Sequence, residues 1–431
     1  MLKPEVFMNQ GTCLISESGI KYEVVKLLGS GGQGEVYDVK TGAKHYALKW
    51  YHREKATPAQ KKILKGLIEK GNPGQEFAWP EDMITADEGR RFGYIMKLRP
   101  AEYKNPVALM KNKINPSFYT ICRIAYNTTL AFQKLHKMGY CYSDISFGNL
   151  FFDPVKGDVL ICDNDNVSVS GLYESQVLGT PGFMAPEVVT GKAKPARNTD
   201  LYSLAVLLFY LFFVNHPLDG AHEAQIRCMD MAARIRLYGT NPVFIYDPLN
   251  KDNRPVPGRH DNAIIYWDIF PESIKALFTE SFTVGLTDPR KRVTENTWLQ
   301  SLADLMTGIV HCPSCKAEVF ENGTPSSKCW NCGGDVKMPA KMVIGKSRVL
   351  ITSNAKLYSR HTNGDSDMDT VTGEITVNPN DPTVWGVRNL TQGNWTYTNP
   401  DGTQVAVAPG RAARIVPGAR IDFARDTLYF A

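Results

Sequence analysis

The residues best suited to chemistry are an aspartate, an asparagine and a second aspartate at short, ordered spacing. In Tyr142-Ser143-Asp144-Ile145-Ser146-Phe147-Gly148-Asn149 the first aspartate stands five residues before the asparagine. Asp163 follows in Ile161-Cys162-Asp163-Asn164-Asp165, beyond a predicted β hairpin. Phosphoryl transfer needs a carboxylate that orients an attacking hydroxyl and accepts its proton. It also needs a carboxylate and an amide oxygen to hold Mg²⁺ on the phosphates. Asp144, Asp163 and Asn149 can fill these roles in that order. Isolated Asx residues also cap turns, but capping does not call for the three together.

A nucleotide needs a cradle, and Gly29-Ser30-Gly31-Gly32-Gln33-Gly34-Glu35-Val36 has the composition of one. Glycines at Gly29, Gly31 and Gly34 let a hairpin backbone approach phosphate oxygens without a Cβ clash. Such a loop alone also fits a dinucleotide fold or a plain glycine hairpin. Alternating apolar and polar residues from Ile20 to Lys49 predict strands on both sides of it. Downstream lies Tyr46-Ala47-Leu48-Lys49, where Lys49 can contact phosphates and Ala47 can line an adenine pocket beside Val36. Phe92 to Leu98 reads as a buried strand, and Met96 and Leu98 are assigned to the adenine side. Helical spacing is predicted near Ala59 to Glu69, ending at Gly71-Asn72-Pro73-Gly74, and from Ser117 to Met138, ending at Gly139. Helices dominate from about Thr199 to Leu305.

In order and spacing, these motifs resemble a bacterial eukaryotic-like (Hanks-type) serine/threonine protein kinase over residues 21–305. Gly179-Thr180-Pro181-Gly182-Phe183-Met184-Ala185-Pro186-Glu187 resembles the end of an activation segment. Asp200-Leu201-Tyr202-Ser203-Leu204 resembles the start of a central helix whose Asp braces the catalytic loop. Asp288-Pro289-Arg290-Lys291-Arg292 resembles the late segment whose Arg pairs with Glu187. The resemblance implies ATP and Mg²⁺ or Mn²⁺ as cofactors, Asp144 and Lys49 as catalytic residues, and a protein substrate, with Thr180 favouring Ser/Thr hydroxyls.

Several positions depart from the family pattern. Tyr142-Ser143 replaces His-Arg, which removes the cation that grips a phosphorylated loop; activity is therefore expected not to require modification of Ser170, Tyr173 or Ser175. Ser146 replaces a lysine. Asn164-Asp165 replaces Phe-Gly, with Asp165 expected to tolerate left-handed backbone in the glycine's place. The helix after Lys49 offers Gln60 where a glutamate is expected, and Glu69 sits beside the Gly/Pro breaker, so the partner of Lys49 stays open between a neutral one and a different carboxylate. These departures support an alternative reading as a nucleotide-binding pseudokinase scaffold.

Beyond the kinase-like part, Cys312-Pro-Ser-Cys315 and Cys329-Trp-Asn-Cys332 form two knuckles. Two such pairs complete a closed tetrahedral Cys₄ site for structural Zn²⁺. Lys316 and Lys328 are too few to make this a nucleic-acid surface. From Val343 to Ala431, short Val/Ile/Trp/Tyr runs broken by Asn-Pro, Asp-Gly and Pro-Gly give an all-β pattern. This part loosely resembles a forkhead-associated domain, in which Lys346 or Arg348, Ser359 and Asn389 would read phosphothreonine. The order of parts is similar to kinases of the bacterial tellurium-resistance-associated phosphorylation triad. That similarity implies a von Willebrand-A-type protein and a metal-dependent protein phosphatase as partners.

The expected fold class is thus α+β: a two-lobed protein kinase fold followed by a zinc ribbon and an all-β sandwich. Residues 1–20 form an N-terminal lead, 21–305 the kinase domain, 306–340 the ribbon and 341–431 the sandwich. Composition agrees with a globular chain: 431 residues, 43% hydrophobic, 22% charged, net charge +5 without a dense basic tract. No signal-like N-terminus appears, and the apolar run from Leu201 to Val214 is short enough to be a core helix. Four of the nine cysteines sit in metal-type pairs, and a reducing cytoplasm is the expected compartment.

Overall fold

The computed structural model describes residues 8–169, 179–353, 355–423 and 425–430. Ser170, Tyr173 and Ser175 lie outside them. The chain divides into two compact units, the first formed by Met1–Asn115, Ala131–Leu211 and Ile226–Pro242.

In the first unit, β1 (Cys13–Ile15), β2 (Lys21–Ser30), β3 (Gly34–Thr41), β4 (Lys44–Tyr51), β5 (Asp82–Ala86) and β6 (Arg91–Lys97) form an antiparallel sheet ordered β1-β2-β3-β4-β6-β5. The two-residue side-chain period sorts its residues. Leu48 and Trp50 of β4 join Tyr37 and Val39 of β3 in one core. Ala47 and Tyr51 face the other way and pack with Phe92, Tyr94 and Met96 of β6. Gly34 is required by a close approach, since a Cβ there would stand 2.1 Å from the Trp50 carbonyl oxygen. Helix α1 (Pro58–Lys70) covers the second face with Leu64. Its ends follow from local chemistry. The Thr57 hydroxyl accepts the Gln60 N–H at 3.2 Å, Pro58 occupies the first turn, and Gly71 ends the helix at φ +85°. The sequence pattern had placed this helix within one residue at each end.

The same unit carries the hairpin Leu150–Phe152 with Val159–Ile161 and the pairing of Tyr140–Cys141 with Ser168–Val169. Between these short strands lie the Asp144 and Asp163 loops. The expected core helix is present as Arg197–Phe213, with Leu204 to Phe209 all buried. No helix among the described residues is long and apolar enough to cross a membrane.

The second unit comprises Pro116–Leu130, Phe212–Gln225 and Val243–Ala431. The helix Phe118–Lys137 contributes its first 13 residues to it. Phe118 packs its ring against Phe270, Phe320 and Trp330 at centroid distances of 5.3, 5.5 and 5.6 Å. The segment from Ile309 holds two short hairpins, Ile309–His311 with Glu318–Phe320 and Ser326–Lys328 with Asp335–Lys337. Beyond them, ten strands form two antiparallel sheets, one of six strands and one of four. Met342, Leu357, Ile375, Val387 and Trp395 lie in the shared core between them. This part is β-rich as expected but not purely β, because Ser359–Asn363 closes one helical turn ended by Gly364 at φ +68°.

Candidate active site

Lys49 lies on the buried face of β4 and is 7% exposed. Its ammonium contacts the Asp163 carboxylate at 2.5 Å and both oxygens of Asp165, at 2.8 and 3.0 Å. The Gln33 side-chain oxygen, at the tip of the glycine-rich loop, accepts a further bond at 2.9 Å. Asp165 is itself buried and accepts the Tyr51 hydroxyl proton as well. Burial acts first on this group and would raise its pKa. The Lys49 charge and the bonds from Lys49 and Tyr51 outweigh burial and hold the Asp165 carboxyl below the usual carboxylate range. Asp163 shares the one ammonium, and burial followed by the Asp165 charge pushes its carboxyl up to about 6. Burial opposes the charge on Lys49, but the two carboxylates together hold its pKa above the ordinary lysine value.

This answers the question the sequence left open. The carboxylate beside Lys49 belongs to the Asp163 loop and not to α1. Glu69 is exposed near the end of α1. Gln60 faces the site, but its side-chain N–H donates to the Asp165 backbone carbonyl at 3.0 Å and to the Tyr51 hydroxyl at 3.3 Å. The left-handed residue of the loop is Asp163, at φ 58° and ψ 47°, whereas Asp165 sits in the 3₁₀ turn Asn164–Asn166. The sequence reading put the left-handed conformation at Asp165; the buried contact with Lys49 holds that residue in the turn instead. Asn164, expected to be an awkward polar replacement, is fully buried and donates to the Ala78 and Ile161 carbonyls, each at 2.9 Å.

Asp144 and Asn149 meet as their spacing predicts. Asn149 donates to the Asp144 backbone carbonyl at 2.9 Å and to its carboxylate at 3.3 Å. The Thr180 hydroxyl donates to the other Asp144 carboxylate oxygen at 2.6 Å. Asp200 accepts the Tyr142 and Ser143 backbone N–H groups at 2.5 and 3.0 Å and bonds His136 at 3.0 Å. The loop is thereby held with Ser143 at φ 70°. Tyr142 is buried and its hydroxyl donates to the Cys162 carbonyl, tying the Asp144 loop to the residue before Asp163. Val36, Ala47, Met96 and Leu98 belong to one apolar cluster with Leu160, and Ala47 pairs with Met96 across β4 and β6. Gly29 lies near the exposed end of β2 and Gly31 in the turn that brings Gln33 to Lys49.

In the second unit, one sulfur from each of Cys312, Cys315, Cys329 and Cys332 lies within 4.8 Å of the others. The Cys312–Cys332 and Cys315–Cys329 separations are 3.7 and 3.5 Å. A tetrahedral ion with metal–sulfur bonds of about 2.3 Å sets sulfur–sulfur edges of about 3.8 Å, so the four fit one ion. Each hairpin folds back in the same way: Lys316 N–H bonds the Cys312 carbonyl at 3.0 Å, and Gly333 N–H bonds the Cys329 carbonyl at 2.8 Å.

The residues expected by resemblance to read phosphothreonine fare differently. Asn389 is fully buried, donates to the Gly393 and Val407 carbonyls and accepts from Thr391. Its side chain closes a turn instead of facing a ligand. Ser359 is buried and donates to Asp365 at 2.5 Å.

Residues 95–302, slightly less than half of the chain, match the family described as Protein kinase domain. The chain is 23% identical over 302 residues to protein kinase YegI of Escherichia coli (strain K12), covering 66% of this chain and 45% of that protein. It is 28% identical over 212 residues to serine/threonine-protein kinase MPS1 of Encephalitozoon cuniculi, covering 46% and 34%. It is 27% identical over 250 residues to serine/threonine-protein kinase D of Synechocystis, covering 50% and 45%. The chain spans less than half the length of these curated relatives. Over these residues the chain matches a protein kinase domain, which implies an α+β fold, and a β-rich C-terminal region follows.

Proposed function

We propose that this protein transfers the γ-phosphoryl group of ATP to Ser/Thr hydroxyls of a protein substrate. The observation that carries this reading is the convergence of Lys49 and Asp163 in one ion pair and of Asp144, Asn149 and Thr180 in one hydrogen-bonded group. The glycine-rich turn, Val36, Ala47, Met96 and Leu98 hold the nucleotide, with Lys49 directed at its phosphates. Asp163 and Asn149 would hold Mg²⁺ or Mn²⁺, which neutralises phosphate charge when bound. The fit is electrostatic: the Asp163 and Asp165 carboxylates share one ammonium, an excess of one negative charge that a cation would balance. Asp144 orients the substrate hydroxyl. As its oxygen bonds to the γ-phosphorus, the bond to the β–γ bridging oxygen breaks and ADP leaves. The hydroxyl proton passes to Asp144.

The four cysteines are assigned Zn²⁺ in a structural role. Residues 21–305 are assigned to the kinase domain, 306–340 to a zinc ribbon and 341–431 to a forkhead-associated-like sandwich, with 1–20 as a lead. The two-sheet arrangement supports the sandwich, but the burial of Asn389 speaks against its use as a phosphothreonine reader. A von Willebrand-A-type protein and a metal-dependent phosphatase are the partners proposed by resemblance, in the cytoplasm.

The test is incubation with γ-labelled ATP and Mg²⁺ or Mn²⁺, comparing the wild type with Asp144→Ala and Asp163→Ala. Transfer to the protein itself or to a generic acceptor, lost in both variants, is expected. Mg-ATP binding without transfer, under every metal and partner tried, would replace this reading with the pseudokinase scaffold.

A further inference from the structure

We infer that Asp165 is the positioning residue for Lys49, replacing from within the metal-binding loop the carboxylate that a kinase ordinarily supplies from the helix after that lysine. The inference rests on the kinase reading above for its consequence in catalysis, but the contact itself does not.

Three features of the site carry it. Asp165 has no side-chain exposure, and both of its carboxylate oxygens lie within 3.0 Å of the Lys49 ammonium, a two-point contact that fixes the ammonium in direction as well as distance. The Tyr51 hydroxyl adds a third bond to the same carboxylate. Tyr51 stands two residues after Lys49 on the same face of β4, so one strand supplies both partners. Finally, α1 presents no carboxylate here. Its Gln60 instead steadies the arrangement from behind, through the Asp165 carbonyl and the Tyr51 hydroxyl.

The arrangement alters what sets the lysine. With a helix-borne partner, sliding the helix breaks the ion pair. With Asp165 as partner, Lys49 is joined directly to the Asp163 loop, through a residue two past Asp163 in sequence, and α1 contributes only neutral hydrogen bonds. Asp163 remains the outer carboxylate, 35% exposed at its side chain, while Asp165 is enclosed. The two aspartates thereby divide the work, one facing the metal position and the other holding the lysine.

Two measurements test this. A double-mutant cycle between Lys49→Met and Asp165→Asn, read by chemical denaturation, reports the contact without any need for activity. Strong non-additivity is expected, with the double variant no less stable than the worse single variant; additive effects would overturn the pairing. The second measurement is kinetic. Asp165→Asn is expected to lower kcat by at least about 10-fold, whereas Glu69→Gln leaves it unchanged. Raised Mg²⁺ or Mn²⁺ is expected to leave that loss in place; recovery there would make Asp165 a metal ligand and defeat the inference. A wild type that transfers no label refutes the kinase reading alone, and the denaturation cycle still decides the pair.

Discussion

Tyr51 shows how a site gains a member through strand geometry alone. It shares the face of Lys49 because side chains two apart in a strand point the same way, and its hydroxyl meets a buried carboxylate. Removing a donor to a buried charged acceptor costs about 1–3 kcal/mol. Tyr51→Phe is therefore expected to lower the denaturation midpoint by a corresponding amount, and an unchanged midpoint would mean that the bond contributes nothing net. The sequence contained this information in a weak form. The period of β4 was readable, and Asp165 was visible two residues after Asp163. What could not be read was burial: whether Asp165 closed on Lys49 or faced solvent depended on the 3₁₀ turn after Asp163 and on Gln60 holding its carbonyl. By contrast, the placement of Asp144, Asn149 and Asp163 was legible because it is local, set by spacing within one loop and one hairpin.

A second residue-scale expectation concerns acid. His361 is buried, accepts the Tyr358 N–H at 2.9 Å, and has its pKa lowered to about 4 by burial and then by the Arg360 charge. Its unfolded pKa is near 6.5, so between pH 6.5 and 4 the unfolded chain binds a proton that the folded chain does not. This contribution to stability is complete above pH 6.5 and is lost as pH falls, at about 1.4 kcal/mol per unit at most. Denaturation midpoints measured across this window are expected to fall less steeply for His361→Gln than for the wild type.

At the scale of elements, the boundaries followed turn and cap chemistry closely. Thr57, Pro58 and Gly71 delimit α1, and Gly139, at φ +83°, follows the Phe118–Lys137 helix as read from sequence. Pairing between distant strands was less legible, because the order β1-β2-β3-β4-β6-β5 depends on tertiary contacts and not on local pattern. The helical turn at Ser359–Asn363 escaped for a similar reason: its start is fixed by His361 accepting the Tyr358 N–H, a bond with no hydrophobic period behind it. The cysteine hairpins are the elements most dependent on something besides their own residues. Their strands are three residues long, and their small core consists largely of Val310, Val319, Val336 and two of the cysteines. With so little apolar surface, an ion held by the four sulfurs would supply much of their folding free energy. A strong chelator is expected to release one equivalent of zinc, scored by a chromogenic indicator, and to unfold these hairpins. Cys329→Ser should bind substantially less than one equivalent.

At the scale of the molecule, the segment after Gly308 packs against the rest of the second unit through both ring contacts and polar bonds. Phe118 lies among Phe270, Phe320 and Trp330. Further along the same helix, Arg123 pairs with Asp369, and the Tyr126 hydroxyl donates to the Ser366 carbonyl at 2.9 Å. Arg360 reaches Gln300 on the Glu295–Thr307 helix at 3.0 Å. Burying an aromatic side chain contributes about 1.5–3 kcal/mol. A chain ended after Gly308 would expose Phe118 and Phe270, and its unfolding temperature is expected to fall by about 5–10 °C. A truncated chain as stable as the full one would show that these contacts carry no net weight.

The four acceptor atoms around the Lys49 ammonium bear on timing as well as position. An ammonium has three protons to give, and Gln33, Asp163 and Asp165 already compete for them. A phosphate oxygen can gain one only by displacing an acceptor, and the neutral amide of Gln33 on its exposed loop is the easiest to displace. If the site takes ATP as proposed, capture waits for the loop tip to let go, and the observed association rate is expected to level off at high ATP concentration instead of rising in proportion. In the Gln33→Ala protein that ceiling lifts.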